Sequence, residues 1–314
     1  MNDKYQNSRD TRSWIEVLRR TELLPESYTA AVFEYVAPLA ERIRGLCEKL
    51  ARPVVVGISG AQGSGKSTLA LFLTNWLQRE MRLATARLSI DDFYLGNADR
   101  EELSRTRHPL LATRGVPGTH DVELGMRILA ALTVTGTRQT VGLPIFDKAS
   151  DDRVPESEWP QVEAPIDVVL LEGWCVGARP QAAAELAEPV NALEANEDTD
   201  GTWRGHVNER LRSDYADLFS RLDALIMLRI PSFEKVLEWR GLQEHKLREQ
   251  MKLQQTSTTA ARGQTDAELV RFIQHYERLT RHMLETMPAY ADTVIDIDEE
   301  HRMVAMTHRN SEAC

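Results

Sequence analysis

Cysteine is scarce in this chain: Cys47, Cys175 and Cys314 are scattered over 314 residues. They form neither a metal-ligand spacing nor a disulfide framework, a usage that suits a reducing cytosol. Long apolar runs are missing too. None approaches the ~20 residues needed to span a bilayer. The N-terminal MNDKYQNSRD is polar with no apolar core behind it, so it does not read as a signal peptide. Basic runs are absent and the net charge is −10, which argues against nucleic acid as a partner. No internal repeat is visible. The expectation is a cytoplasmic protein that engages neither membrane nor nucleic acid, with its oligomeric state open. The composition that is present, 42% hydrophobic and 27% charged, is that of a globular chain able to bury a sizeable core.

Apolar residues at Tyr28, Val32, Tyr35, Leu39, Ile43, Leu46 and Leu50 follow a helical spacing that Pro38 interrupts, predicting a kink or two shorter helices. Residues 54 to 59 form a short, largely apolar, β-branched run, as in a strand buried on both faces. Further strands are predicted over 84–90, 167–171, 224–230 and 293–297, with helical patterns between them, notably 203–222 and 266–287. Strand and helix alternate, so the fold class is α/β with a mainly parallel sheet. Residues 181–201, Ala-rich and acidic, read as a surface loop, and the polar 253–265 as a mobile one. The division expected is an N-terminal helical extension over 1–50, a main domain over 51–300 and a tail over 301–314.

Directly after the first strand comes GISGAQGSGKST, residues 57 to 68. Gly60, Gly65, Lys66 and Ser67 meet the G-x-x-x-x-G-K-[ST] pattern, with a buried strand before it and an amphipathic helix after it. Such glycines let successive N–H groups point into one concavity, and the helix N-terminus adds partial positive charge. Gly60, Ala61, Gln62, Gly63, Ser64, Gly65, Lys66, Ser67 and Thr68 are therefore the expected cradle for the phosphates of a nucleoside triphosphate. Lys66 would reach the β- and γ-phosphates and Ser67 would ligate Mg²⁺. This makes the fold a P-loop NTPase with the N-terminal helices added to it.

No guanine-reading N-K-x-D and no LSGGQ of transporter ATPases is present. Instead SIDDFYL, residues 89 to 95, ends a strand with two carboxylates. A carboxylate there lies on the ligand side of an open α/β sheet, where Asp91 can take a proton from an acceptor hydroxyl. The alternative is a turn-forming Asp-Asp pair. VVLLEGW, residues 168 to 174, ends another buried strand in Glu172, beside the phosphate loop, where Mg²⁺ or its water shell needs a carboxylate. Otherwise Glu172 only caps its strand.

The P-loop, then D-x-F-Y, then apolar-E-G, in this order, resembles the uridine kinase, phosphoribulokinase and pantothenate kinase group. Within it the chain is most similar to the plant-type D-glycerate 3-kinases and their fungal and bacterial relatives, through RGVPGTHD (114–121), LPIFDKASDDR (143–153), LEGWCVGARP (171–180), PVNALEANED (189–198) and EWRGLQEHKLR (238–248). The resemblance covers about residues 54 to 298. It implies ATP with Mg²⁺ as donor, D-glycerate as acceptor and 3-phosphoglycerate as product. Residues 149 to 153, ASDDR, lack the glycine-rich stretch associated with plant members.

A small anionic acceptor needs a cation, preferably arginine for bidentate carboxylate binding. RGVPGTHD offers Arg114 for the carboxylate and His120 or Asp121 for hydroxyls, with Thr119 expected to cap the helix that carries Asp121 in its first turn. The same stretch also reads as a capped helix start with a surface arginine. The resemblance favours an acceptor-site role for Asp147 and Lys148, against a solvated loop with internal ion pairs. Phe233, Leu237, Arg240, Glu244 and Arg248 share one predicted helix face. Related kinases carry an arginine-bearing lid here, about residues 232–265. That implies Arg240 on the moving phosphoryl group, against a plain surface helix. Cys175 has no base near it in sequence and reads as a small buried residue. An ATP-dependent small-molecule kinase, D-glycerate 3-kinase first, is the leading reading. The alternatives are the same chemistry on a nucleoside, sugar or pantothenate-like acid, and a nucleotide-switched regulatory ATPase.

Overall fold

The structure, a computed structural model, describes residues 9–241 and 266–309. The loop expected over 253–265, with Glu244, Arg248 and Cys314, lies outside the described residues. Five strands form a parallel array: β1 (Val54–Gly60), β2 (Thr85–Ser89), β7 (Val168–Gly173), β8 (Ala224–Arg229) and β9 (Thr293–Ile297). A sixth, β10 (Met303–His308), joins β9 antiparallel, and the order is β10-β9-β8-β1-β7-β2. β10 occupies the stretch expected as a tail. It is an edge strand of mostly intermediate and exposed residues, so its apolar signal is weak.

Period-two alternation feeds two cores from the same strands. Val55, Val169, Leu171, Leu225 and Met227 enter one core. Val54, Val56, Ile58, Val168, Leu170, Ile226 and Leu228 enter the other. Both faces are covered, which is why these strands read as continuous apolar runs.

The second core is roofed by the N-terminal helices α1 (Arg9–Thr21), α2 (Tyr28–Ala31) and α3 (Ala37–Leu50), with a π-helical turn, Val32–Val36, between the last two. Pro38 sits in the first turn of α3, where a missing N–H is harmless, so the irregularity falls before it. Phe33 and Trp14 meet Trp76 edge-on at 5.8 and 6.1 Å, and Tyr28 meets Phe72 at 5.0 Å. Phe72 and Trp76 belong to α4 (Lys66–Glu80), the helix that follows the phosphate loop.

On the other side lie α5 (Asn97–Thr106), α6 (Val122–Thr133), α7 (Ala192–Glu197), α8 (Thr202–Arg212) and α9 (Asp214–Phe219), while α10 (Asp266–Thr286) reaches both cores. Two small hairpins pair β3 (Gln139–Gly142) with β6 (Gln161–Ala164) and β4 (Phe146–Asp147) with β5 (Asp152–Arg153). The expected 203–222 helix is two helices broken at Ser213. The acidic 181–201 segment is not a plain surface loop. Glu194 and Asp198 are buried in it, paired with Arg278 and Arg204. Among the described residues no helix is long and apolar enough to cross a membrane.

Candidate active site

Gly60 ends β1 and Lys66 opens α4, so residues 61 to 65 turn the chain between them. Gly63 and Gly65 have φ of +81° and +89°, in the left-handed region that only glycine adopts readily. The curl leaves polar atoms without partners among the described residues: Ser64 Oγ and Gln62 Oε1 are buried and unbonded. Lys66 is half-buried, and its charge is felt at Asp91 across the site.

The register aligns the strand ends. Glu172 lies level with Ile58 on β1 and with Ser89 on β2. Gly173, next along, has no room for a side chain, since a Cβ would fall 2.3 Å from Ile90 Cγ2. That close approach lets the 3-10 turn Ile90–Phe93, with Asp91 and Asp92, pack against the end of β7. Glu172 Oε1 accepts the Ser67 hydroxyl at 2.7 Å, whereas its Oε2 is buried with no partner among the described residues. A carboxylate so placed calls for a cation or its bound water. Among the described residues no group of three His, Cys, Asp or Glu forms a metal cage. Any ion here would lean on phosphate and water oxygens, as Mg²⁺ does.

Asp91 is the most heavily engaged carboxylate. Tyr94 Oη donates to Oδ1 and Lys148 Nζ to Oδ2, each at 2.7 Å. Burial pushes the carboxyl up, but the charges of Lys148 and Lys66 outweigh it, so it is held below the usual range. Asp92 goes the other way. Burial first, and the Asp91 and Glu172 charges after it, raise it to about 6 against the Phe146 amide it accepts. The fold thus shifts two adjacent carboxyls in opposite directions, Asp91 down and Asp92 up.

The hairpin of β4 and β5 brings Lys148 to Asp91, and its turn carries Asp151 at φ +57°. Asp151 is gripped by Arg114 and by Arg100 of α5, whose side chain is 1% exposed. Asp147 accepts the Ala149 and Ser150 amides at 2.9 and 3.1 Å, an Asx turn that shapes this hairpin. Asp121 is the N-cap of α6, accepting Leu124 N at 2.9 Å, and also takes Arg153 at 3.2 Å. Thr119, expected as that cap, instead accepts Gly115 N and donates to Val116 O within its own turn. His120 is buried, stacks on Tyr94 at 4.7 Å and meets the Tyr215 hydroxyl through Nδ1. Arg240 lies on the helix over residues 233–241, and its charge is felt at Tyr276, which donates to Arg114 O at 3.0 Å. Trp239 beside it packs on Gly63 of the phosphate loop, 3.3 Å from where a Cβ would stand.

No protein-family model matches the chain. It is 35% identical over 233 residues to an uncharacterised kinase (mug58) of Schizosaccharomyces pombe, across 72% of this chain and 79% of that one. It is 31% identical over 268 residues to the chloroplastic D-glycerate 3-kinase of Arabidopsis thaliana, across 80% of this chain and 54% of that longer one. A solved D-glycerate 3-kinase from Cryptococcus neoformans superposes with a TM-score of 0.70 at 25% identity, across 87% of this chain and 99% of that one. The chain belongs to the D-glycerate 3-kinase-like family of P-loop kinases.

Several groups of this P-loop kinase escaped sequence reasoning. Tyr94 stands in the D-x-F-Y motif, but its hydroxyl as a donor to Asp91 emerges only from the folded turn. Arg100 was not signalled, because a buried arginine on a polar helix shows no pattern. Tyr215 reads as one more apolar position on its helix, and its hydroxyl matters only once the chain folds. Arg278 and Arg204, which neutralise the buried Glu194 and Asp198, were equally hidden.

Proposed function

We propose that this kinase transfers the γ-phosphoryl group of ATP to a hydroxyl of a small organic acid, D-glycerate, giving ADP and 3-phosphoglycerate. The observation that carries this reading is Asp91, kept ionised between Tyr94 and Lys148 and facing Lys66 at the carboxyl edge of the sheet. A base there accepts the proton as the acceptor oxygen bonds to phosphorus and ADP departs. A regulatory ATPase would need a group that positions water, and Asp91 is instead set to receive a proton from an acceptor.

Residues 60–68 would cradle the phosphates, with Lys66 on the transferring group and Arg240 countering its charge from the lid helix. Ser67 and Glu172 would hold Mg²⁺ or its water shell, and the ion would neutralise phosphate charge. Arg114 would read the acceptor carboxylate, sharing it with the neighbouring Arg100 in the place now taken by Asp151. His120 and Asp121 would face hydroxyls, and Asp147 and Lys148 would line the acceptor side from the hairpin. The relatives' names support glycerate, and the free thiols of Cys47 and Cys175 support a reducing compartment such as the cytoplasm.

Incubation with ATP, Mg²⁺ and a panel of D-glycerate, L-glycerate, glycerol, pantothenate and uridine tests this, with products read by phosphorus NMR. Phosphorylation of D-glycerate well ahead of the others is expected. Preferential turnover of a nucleoside or pantothenate, or hydrolysis of ATP indifferent to every acceptor, would overturn it.

A further inference from the structure

His120 is 3% exposed and held over the site by its backbone. Leu95 N donates to Thr119 O at 2.9 Å and Asp121 N to Phe93 O at 2.7 Å, which lock its segment against the Asp91 turn. Its ring lies on Tyr94, the residue whose hydroxyl binds Asp91. Asp91 is near enough for its charge to pull the imidazole toward protonation, although burial dominates and holds it down at about 4.

The hydrogen bonding around His120 settles which nitrogen carries the proton. Tyr215 is fully buried, and its oxygen accepts Gly118 N–H at 3.0 Å. The phenol has one proton of its own. Among the described residues, the acceptor it meets is His120 Nδ1. Were Nδ1 protonated, the phenolic O–H would be buried with nowhere to donate. Nδ1 is therefore the acceptor, and the single proton of the neutral ring sits on Nε2. That N–H is buried and, among the described residues, has no partner. An orphan donor of this kind is costly, and it marks where a ligand atom belongs. Carrying a proton, it cannot bind a metal. Uncharged, it suits a neutral oxygen better than a phosphate or a carboxylate.

We propose that His120, fixed as the Nε2–H tautomer by Tyr215, donates to the non-reacting hydroxyl of the acceptor, on the carbon beside the one phosphorylated. His120 thereby selects vicinal hydroxy acids, and Tyr215 is its positioning residue. The proposal rests on the hydroxy-acid reading above. A site built to bond a hydroxyl strongly rejects the analogue lacking it, because its donor is then left unpaired.

The test compares D-glycerate with 3-hydroxypropionate, the same acid without the second hydroxyl. The wild type should prefer glycerate by about 100-fold or more in kcat/KM. His120→Phe should reduce that preference to below about tenfold by losing activity on glycerate alone. His120→Gln, which keeps an N–H donor near the Nε2 position, should retain much of the preference. Tyr215→Phe should weaken the preference with the KM for ATP unchanged. Nitrogen NMR of the free protein should show His120 Nε2 protonated and Nδ1 bare from pH 5.5 to 8. Equal losses on both acids in His120→Phe, an Nδ1–H tautomer, or a titration near the ordinary histidine value would overturn the proposal. A wild type inactive on both acids would remove the hydroxy-acid reading itself. Glycerate turnover whose discrimination survives His120→Phe would overturn only the role of His120.

Discussion

At the scale of single residues, the chemistry depends on two neighbouring aspartates that the fold treats in opposite ways. Asp91 receives a phenol and an ammonium and is pulled toward the charged form, whereas Asp92 receives one amide and is pushed toward the neutral one. Asp91→Asn should cut phosphoryl transfer by roughly 10²- to 10⁴-fold, the range of a positioned acid–base group, with ATP binding nearly intact. That corresponds to about 3–5 kcal/mol of barrier. Asp92→Asn should cost far less, because an amide oxygen can still accept Phe146 N–H. Steady-state kinetics of the two variants decide the matter, and a more damaging Asp92→Asn would exchange their roles. Lys66→Ala removes the charge expected on the transferring phosphate and should lower kcat by on the order of 10²-fold or more. Turnover within a few-fold of the wild type would sink the phosphate-loop reading.

At the scale of elements, the hairpin of β4 and β5 does most to assemble the acceptor side. One short turn brings Lys148 to Asp91, Asp151 to Arg100 and Arg114, and Arg153 to Asp121. Asp151→Asn leaves the buried Arg100 without its carboxylate, an uncompensated charge that should destabilise the protein by roughly 1–3 kcal/mol once exposure of the aspartate is allowed for. Chemical denaturation measures this, and an unchanged midpoint would show that Arg100 finds its counter-charge elsewhere. The element scale also shows what could be read from the chain beforehand. The parallel strands were legible because both faces are buried, and the phosphate loop because its glycines obey a backbone requirement. Asp91 and Glu172 were legible because each ends a strand on the ligand side. The hairpins and β10 were not, since two- to six-residue strands at exposed edges carry little periodicity. Thr119 as a cap was read two residues early. A threonine and an aspartate are both good N-caps, and only the turn geometry at Gly115 to Gly118 chooses Asp121. The buried Glu194 and Asp198 were hidden for a more general reason. Acidic residues signal surface until arginines arrive to neutralise them, Arg204 from six residues along the chain and Arg278 from a distant helix.

At the scale of the whole molecule, the N-terminal helices and α10 make one body with the phosphate-binding domain. α10 sends Leu269 and Ile273 to one core and Tyr276, Leu279 and Met283 to the other, so disturbance on either face is shared. The same burial gives the protein a characteristic response to acid. His120 and His275 are each driven down to about 4, chiefly by desolvation, and His206, His282 and His308 move in the same direction. Between about pH 4 and 6.5 the unfolded chain therefore binds more protons than the folded one at these sites. Stability is fully present above the ordinary histidine value and is lost as the pH falls toward 4. Each fully buried histidine is worth roughly 2–3 kcal/mol across that window. Asp92 opposes them. Raised to about 6, it favours the folded state while protonated, and that contribution fades as the pH climbs from 4 to 6. Two buried histidines outweigh one carboxylate, so the melting temperature should rise by several degrees from pH 5 to 7. His275 lies outside the proposed site, its Nδ1 bonded to the Arg271 and Phe272 carbonyls and its ring against Trp203. His275→Leu should flatten the rise while leaving the pH profile of turnover unchanged. A melting temperature that is level or falls between pH 5 and 7, or a slope that His275→Leu leaves untouched, would mean that these imidazoles are not kept neutral by burial.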